Sequence, residues 1–241
     1  MKIAIINILC LIIVFGLSAQ EHNSDAIINE NISAYVNAVN EHLIIFSGRE
    51  EKLYSRNILN HPFLDTNEFR KGMISFDGRI YPNLMLRLNL DRNELIVMTP
   101  DKNFSIIIPE DKLDYAMIDS LYILYNNAEF AKENSIREGY YIRIYNGEHQ
   151  VWKYESFTLN SKANVSTGMM DNIFEKKIWL YIYKDGIYHP VKSKSSVLKF
   201  FASKKKELKK HIKELDLSFY RNPENAIVSV AEYYEKLNNT D

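Results

Sequence analysis

"LMLRLNL", residues 84–90, sets Leu84, Leu86, Leu88 and Leu90 against Met85, Arg87 and Asn89 with a period of two. In a strand, where successive side chains point to opposite faces, that period makes one continuous apolar face. The period returns in "GYYIRIY" and "QVWKYESF", and in "KKIWLYIY", which opposes Ile178, Leu180 and Ile182 to Trp179, Tyr181 and Tyr183. Between such runs stand "FDGR" at Asp77-Gly78, "YNGE" at Asn146-Gly147 and "KDGI" at Asp185-Gly186. Asn-Gly and Asp-Gly pairs accept positive φ at both central positions, which matches strand twist and favours tight hairpins. "DRNE" and "TPDKN" mark longer turns. Residues 43–191 are therefore expected to form an antiparallel β domain of about eight or more strands, too wide to stay flat. A curved half-barrel or a sandwich is the expected outcome.

The flanks change period. In residues 20–42, Ile28, Ile32, Tyr35, Val36 and Val39 recur at helical spacing behind Ser24, a candidate cap, so a short N-terminal helix is expected. Residues 192–241 predict a C-terminal helical segment packed on the β domain. Its first stripe is Leu198, Phe201, Leu208, Ile212 and Leu215, and the spacing falters near Ser203. Asn222, Pro223 and Glu224 open a second helix as cap, first helical residue and favourable charge at the positive helix end. Its stripe is Ile227, Val230, Ala231 and Tyr234. The expected fold class is thus α+β, with a two-helix tail.

The leading residues bear on location. Met1-Lys2 is followed by the apolar run "IAIINILCLIIVFGLSA" and then the small-residue site "LSAQE". That is the layout of a signal peptide over residues 1–19, cleaved after Ala19 or Gln20. A single membrane anchor is the rival reading, since such a run can span a bilayer. The polar, acidic stretch that follows lacks a stop-transfer flank. Cys10, the single cysteine, lies inside the run and too early to close it as a lipid-anchored cysteine would. The exported chain is then expected to carry no disulfide, cysteine metal site or cysteine nucleophile. With 46% apolar residues and only eight glycines, it has enough material for a core and little for flexible linkers.

Charge is unevenly placed. The chain has 30 basic and 31 acidic residues, and the stretch from Lys192 to Lys213 holds nine lysines against Glu207. With Lys2 set aside, that stretch carries +8 while the remainder sums to −10. Lys204, Lys206, Lys209, Lys210 and Lys213 fall off the Leu208–Ile212–Leu215 stripe, the ordinary pattern of a helix buried on one side and wet on the other. Contact with anionic lipid is the functional rival for these lysines. Nucleic acid is not an expected partner, because no recognisable binding module accompanies them.

Motifs for chemistry are absent. None of the six histidines stands three or four residues from another, as a helical metal pair requires. His61 and His189 each precede a proline and fit loop or strand-end roles. "FSGREEKLY", with Ser47 beside Gly48, suggests a hairpin turn and not a nucleophile elbow. No phosphate loop or calcium loop is found. A glycosidase pair among Glu50, Glu51, Asp111 and Asp114 is permitted but unsupported by spacing. The expectation is a non-enzyme without cofactor or metal.

Tyrosine stands out, sixteen in all. Trp152, Tyr154, Trp179, Tyr181 and Tyr183 lie on strands with other rings nearby, and cross-strand packing is the default role for such residues. If the rings face away from the aliphatic side, they offer an aromatic surface or concavity for an envelope protein or an apolar small molecule. These five residues form the candidate binding surface. The five lysines above form the candidate lipid contact.

"FSGREEKLY", "NHPFLDTNEFRKGMISFDGRIYPNLMLRLNL", "GYYIRIYNGEHQVW" and "WLYIYKDGIYHPVKSKSSVLKFFASKKKELKKHIKELDLSFYRNPENAIVSVAEYY" together span about residues 41–237. In this order they resemble a family of exported Bacteroidota proteins that join a β-rich body to a lysine-rich helical tail. The resemblance implies an envelope location, periplasmic after cleavage of the signal. It implies no activity, substrate or catalytic residue.

Overall fold

The computed structural model describes residues 44–54, 57–164, 166, 168 and 170–239. The expected signal peptide (1–19), Cys10 and the N-terminal helix (20–42) lie outside the described residues. The chain forms β1 (Arg70–Phe76), β2 (Arg79–Asn89), β3 (Glu94–Met98), β4 (Ser105–Ile107), β5 (Leu113–Ile118) and β6 (Leu121–Asn126). Helix α1 (Ala128–Glu133) precedes β7 (Gly139–Tyr145), β8 (Gln150–Ala163), β9 (Met170–Lys184) and β10 (Ile187–Val191). Helices α2 (Lys194–Phe200), α3 (Lys205–Glu214) and α4 (Pro223–Asn238) follow. The ten strands make one open sheet in the order β10-β9-β8-β7-β6-β5-β1-β2-β3-β4, each neighbouring pair antiparallel. The fold is α+β.

Local chemistry explains most of the reversals. Asp77 and Gly78 have φ of 53° and 70°, and Asp185 and Gly186 have 50° and 83°, so both pairs make the tight turn expected of them. Asn146-Gly147 does not. There β7 ends at Tyr145 and β8 starts at Gln150, because a helix has captured the loop. Glu235 of α4 accepts hydrogen bonds from the Tyr145 hydroxyl and the His149 backbone N–H, both at 2.7 Å. A Cβ on Gly147 would lie 2.3 Å from the Glu235 carboxylate, so this glycine serves close approach rather than a hairpin. "FSGREEKLY" also departs from expectation. Ile44–Phe46 form a 3₁₀ turn, and Gly48 lies so near the Ile107 carbonyl that a side chain would clash at 1.9 Å.

One face of the sheet is aliphatic along its whole width. Over β1–β7 it gathers Ile74, Leu86, Leu95, Val97, Ile118 and Ile142, all fully buried. Over β8–β10 it gathers Val151, Leu180, Ile182 and Val191 under the C-terminal helices. Between these halves sits a buried ion network. The Glu155 carboxylate lies 2.7 Å from the Lys153 ammonium and 3.1 Å from that of Lys176, and Lys153 also reaches Glu224 of α4 at 3.2 Å. Each buried charge thus has a partner, without which its loss of hydration would be uncompensated.

The expected two C-terminal helices are three. Phe201 ends α2 at φ −92°, ψ 46°, and a 3₁₀ turn (Ala202–Lys204) leads into α3. The Phe201 ring is held by Phe200, Tyr234 and His149 at centroid distances of 4.8, 4.4 and 5.3 Å. Anchoring it inward re-aims the chain, which accounts for the faltering stripe at Ser203. Helices α3 and α4 run in opposite directions: Ser203 meets Tyr234, while His211 bonds Ser229 and stacks on Tyr233 at 4.1 Å. Leu198, Leu208 and Ile212 are buried as expected, but Leu215, the α3 C-cap, is 56% exposed.

The second face is covered differently at its two ends. Over β2–β4, Glu51, Phe63 and Phe69 cover it, tied down by Arg87. That guanidinium bonds both Glu51 oxygens (2.9 and 2.7 Å) and lies between the Phe63 and Phe69 rings at 3.9 and 4.3 Å. Over β6–β10 the same face is aromatic.

Candidate functional site

Register builds the aromatic face row by row. Tyr141, Tyr154 and Trp179 lie side by side across β7–β9; Trp152, Tyr181 and Pro190 form the next row and Tyr183–Tyr188 the next. Ring centroids are 5.1 Å apart for Tyr141–Tyr154, 5.6 Å for Tyr154–Trp179 and 4.7 Å for Tyr183–Tyr188. Such spacings give favourable edge and offset contacts. All five predicted aromatic residues therefore share one face. They are unequal in access: Trp152 and Tyr181 are 2% and 3% exposed, whereas Tyr154, Trp179 and Tyr183 are half-buried.

What covers the first two was not expected from the sequence. Helix α1 is six residues long, capped by the Asn127 side chain, which accepts from the Phe130 N–H at 2.9 Å. Phe130 meets Tyr188 edge-on at 6.2 Å, Ile136 packs on the same cluster, and the Arg137 guanidinium lies 3.9 Å from the Trp179 ring centre. The Tyr141 hydroxyl donates to the Arg137 carbonyl at 2.9 Å and accepts from its N–H at 3.1 Å, clipping this cover to the sheet. Burial drives Tyr141 well above the usual phenol range and pushes Tyr188 up to about 12. Arg137 and the Asn127 cap were the legible traces of this cover, yet six residues give too little periodicity to identify a helix.

At the border of that face lies a cleft of about 390 Å³. Trp179 and Tyr181 line it from β9, Val191 from the end of β10, and Phe219, Pro223 and Ile227 from α4 and the loop before it. Lys192 is its one charged lining residue. The cleft thus joins two predicted aromatic residues to the helical layer, and its chemistry suits an apolar group beside an anion.

Lys206, Lys209, Lys210 and Lys213 are exposed and Lys204 is half-buried, while Leu208 and Ile212 between them are buried. Lys206, Lys209, Lys210 and Lys213 form an outer face of α3 over a committed apolar inner face, and Lys204 lies in the turn before it. Lys210 pairs with Glu214 at 3.6 Å. Past the end of α3, Tyr220 is 95% exposed.

A second opening of about 390 Å³ lies by Glu51, Tyr54, His61 and Arg87, but the Glu51 carboxylate and the Arg87 guanidinium already pair with one another. His149, buried among Phe200, Phe201 and Tyr234, has its Nδ1 3.5 Å from Glu235. Among the described residues, no group of three or more His, Cys, Asp or Glu is placed to hold a metal ion, and no helix is long and apolar enough to cross a membrane. Comparison with protein-family models, curated proteins and solved structures finds no match.

Proposed function

We propose that this chain is an exported, non-enzymatic binding module of the cell envelope. It holds an apolar element in the cleft between the edge of β9, the end of β10 and the start of α4. The observation carrying this reading is the lining: Trp179, Tyr181, Val191, Phe219 and Ile227 surround the opening, with Lys192 at its margin. The leader-like residues 1–19 and the resemblance to exported Bacteroidota proteins support the location. A carrier with an enclosed sheet concavity fits less well. The sheet is inferred to curve as a half-barrel, since the Phe157 N–H on β8 donates to the Leu90 carbonyl beyond β2, and Tyr140 N–H on β7 reaches Asn93. The inner face is filled with buried aliphatic side chains.

The test uses the two tryptophans. In a Trp152→Phe variant, Trp179 is the one emitter, and titration with dodecanoate or anilinonaphthalene sulfonate is expected to shift its fluorescence saturably. Ile178 lines the cleft and is 39% exposed, so Ile178→Asp should abolish the shift without unfolding the chain. Absence of saturation, or binding unchanged by Ile178→Asp, overturns the reading.

A second reading rests on a separate observation: exposed Leu215 and Tyr220 lie close in sequence to the basic outer face of α3. Apolar and aromatic tips beside lysines suit anionic headgroups. Salt-sensitive flotation with phosphatidylglycerol vesicles, lost on reversing Lys206, Lys209, Lys210 and Lys213, is its expected result.

A further inference from the structure

Strand β9 is fifteen residues long, and its inner edge is paired without a register shift to β8 from Met170 to Tyr183. Among the described residues, its outer edge is closed in two places. Near one end, the Phe174 N–H donates to Asn60 Oδ1 at 2.8 Å and its carbonyl accepts from Asn60 Nδ2 at 2.9 Å, while the Asn172 carbonyl accepts from Leu59 N–H. Near the other end, β10 pairs with Leu180–Lys184. Residues 172 and 174 thus point outward. Because backbone groups of alternate residues face alternate edges, those of Lys176 and Ile178 point outward too. No described strand meets them. Six residue-to-residue steps of about 3.3 Å each lead from Phe174 to Leu180, so the gap is about 20 Å long.

This gap opens beside the apolar cleft, since Ile178 and Trp179 belong to both. A strand laid along it would send alternate side chains to the two sides of the sheet. One side offers Ile178 with Phe219 and Ile227 of the helical layer; the other offers Trp179 with Tyr181. Charge selects further. Around the gap stand Lys162, Lys176, Lys177 and Lys192, against Glu175, Glu155 and, beside the cleft-lining Pro223, Glu224, which pairs with Lys153. Glu175 is paired with Lys162, and Glu155 is buried against Lys153 and Lys176. Lys177 and Lys192 are exposed at the margin.

We propose that the outer edge of β9 at Lys176–Ile178 receives an extended segment of a partner protein, apolar with an acidic end, as an added strand. Main-chain hydrogen bonds to these two residues would supply affinity, and the cleft would supply side-chain selection. The proposal rests on the cleft reading above and deepens it by naming the occupant.

The experiment titrates the pentapeptide acetyl-Val-Thr-Ile-Phe-Asp, with a free C-terminus, into the full exported chain and follows amide NMR signals. The amides of Lys176 and Ile178 are expected to shift, and their hydrogen exchange to slow at least tenfold at saturation. Two N-methylated forms of the peptide, blocked at alternate nitrogens, keep every side chain. One form should lose binding and the other keep it, because an added strand uses one alternate set of donors. Lys192→Glu, or an amidated peptide with Asn for Asp, should weaken binding at least fivefold. Peptide binding that leaves those two amides untouched, or equal binding by both N-methylated forms, overturns the proposal. Dodecanoate bound without any peptide binding overturns it while leaving the cleft reading intact; failure of both ligands removes both.

Discussion

The two sides of strands β8–β10 bury similar numbers of rings and branched chains under covers of unequal depth. On the aliphatic side, three helices close over Val151, Leu180 and Ile182, and the ladder of contacts continues into α4 through Val230 and Ala231. On the aromatic side, Phe130 of the six-residue helix and nearby Ile136 pack on the cluster that holds Trp152 and Tyr181, while Tyr154, Trp179 and Tyr183 stay half open, Trp179 beneath Arg137. The first side is built to hold the chain together. The second keeps large, rigid, weakly polar groups within reach of solvent, where the proposed partner would find much area at little entropic cost. The cleft lies where the two covers fail to meet.

That contrast makes stability and binding separable. The largest loss is expected for Glu155→Ala, which removes the buried carboxylate shared by Lys153 and Lys176 and leaves Lys153 with Glu224 alone. Chemical denaturation should show a fall of about 3–5 kcal/mol, as for other broken buried pairs. Ile182→Ala, fully buried under the helices, should cost about 2–5 kcal/mol by the same measurement. If Trp179→Ala costs as much, the two sides are equivalent and the contrast is broken. The expectation is about 1–2 kcal/mol, with dodecanoate binding lost.

Alkali sharpens the comparison further. Tyr141 and Tyr188 are raised by burial, so their neutral forms are favoured in the folded chain. Their contribution is fully present below the ordinary phenol value near pH 10 and is lost as pH rises through the folded value, about 12 for Tyr188. Ultraviolet titration should show Tyr141 and Tyr188 ionising above the ordinary phenol range, together with unfolding. The smallest effect belongs to charge reversal at Lys206, Lys209, Lys210 and Lys213, whose exposed side chains should leave the unfolding midpoint nearly unchanged.

The alternation of Leu84–Leu90 and of Ile178–Tyr183 made strands and faces legible, since the period of two survives any arrangement of neighbours. Tight reversals at Asp77-Gly78 and Asp185-Gly186 were legible for the same reason: their geometry is local. Asn146-Gly147 failed because Glu235, nearly ninety residues later, outbids the local preference. Phe201 hid the division of α2 from α3, its ring being fixed by His149 and Tyr234 from other elements. The five aromatic residues could be assigned to one face, but not to cover or opening, which depends on Phe130 of α1 and Ile136 just past its end. The open edge at Lys176–Ile178 was invisible, for it exists only where β10 stops and Asn60 has not yet begun.

Glu235 carries a consequence for synthesis. The loop after β7 is fastened by a carboxylate that leaves the ribosome long after the loop itself, so β7 and β8 must wait with that corner untied. Until α4 is made, the Tyr145 hydroxyl and the His149 amide have only water to bind, and the aliphatic side of the emerging sheet lacks its cover.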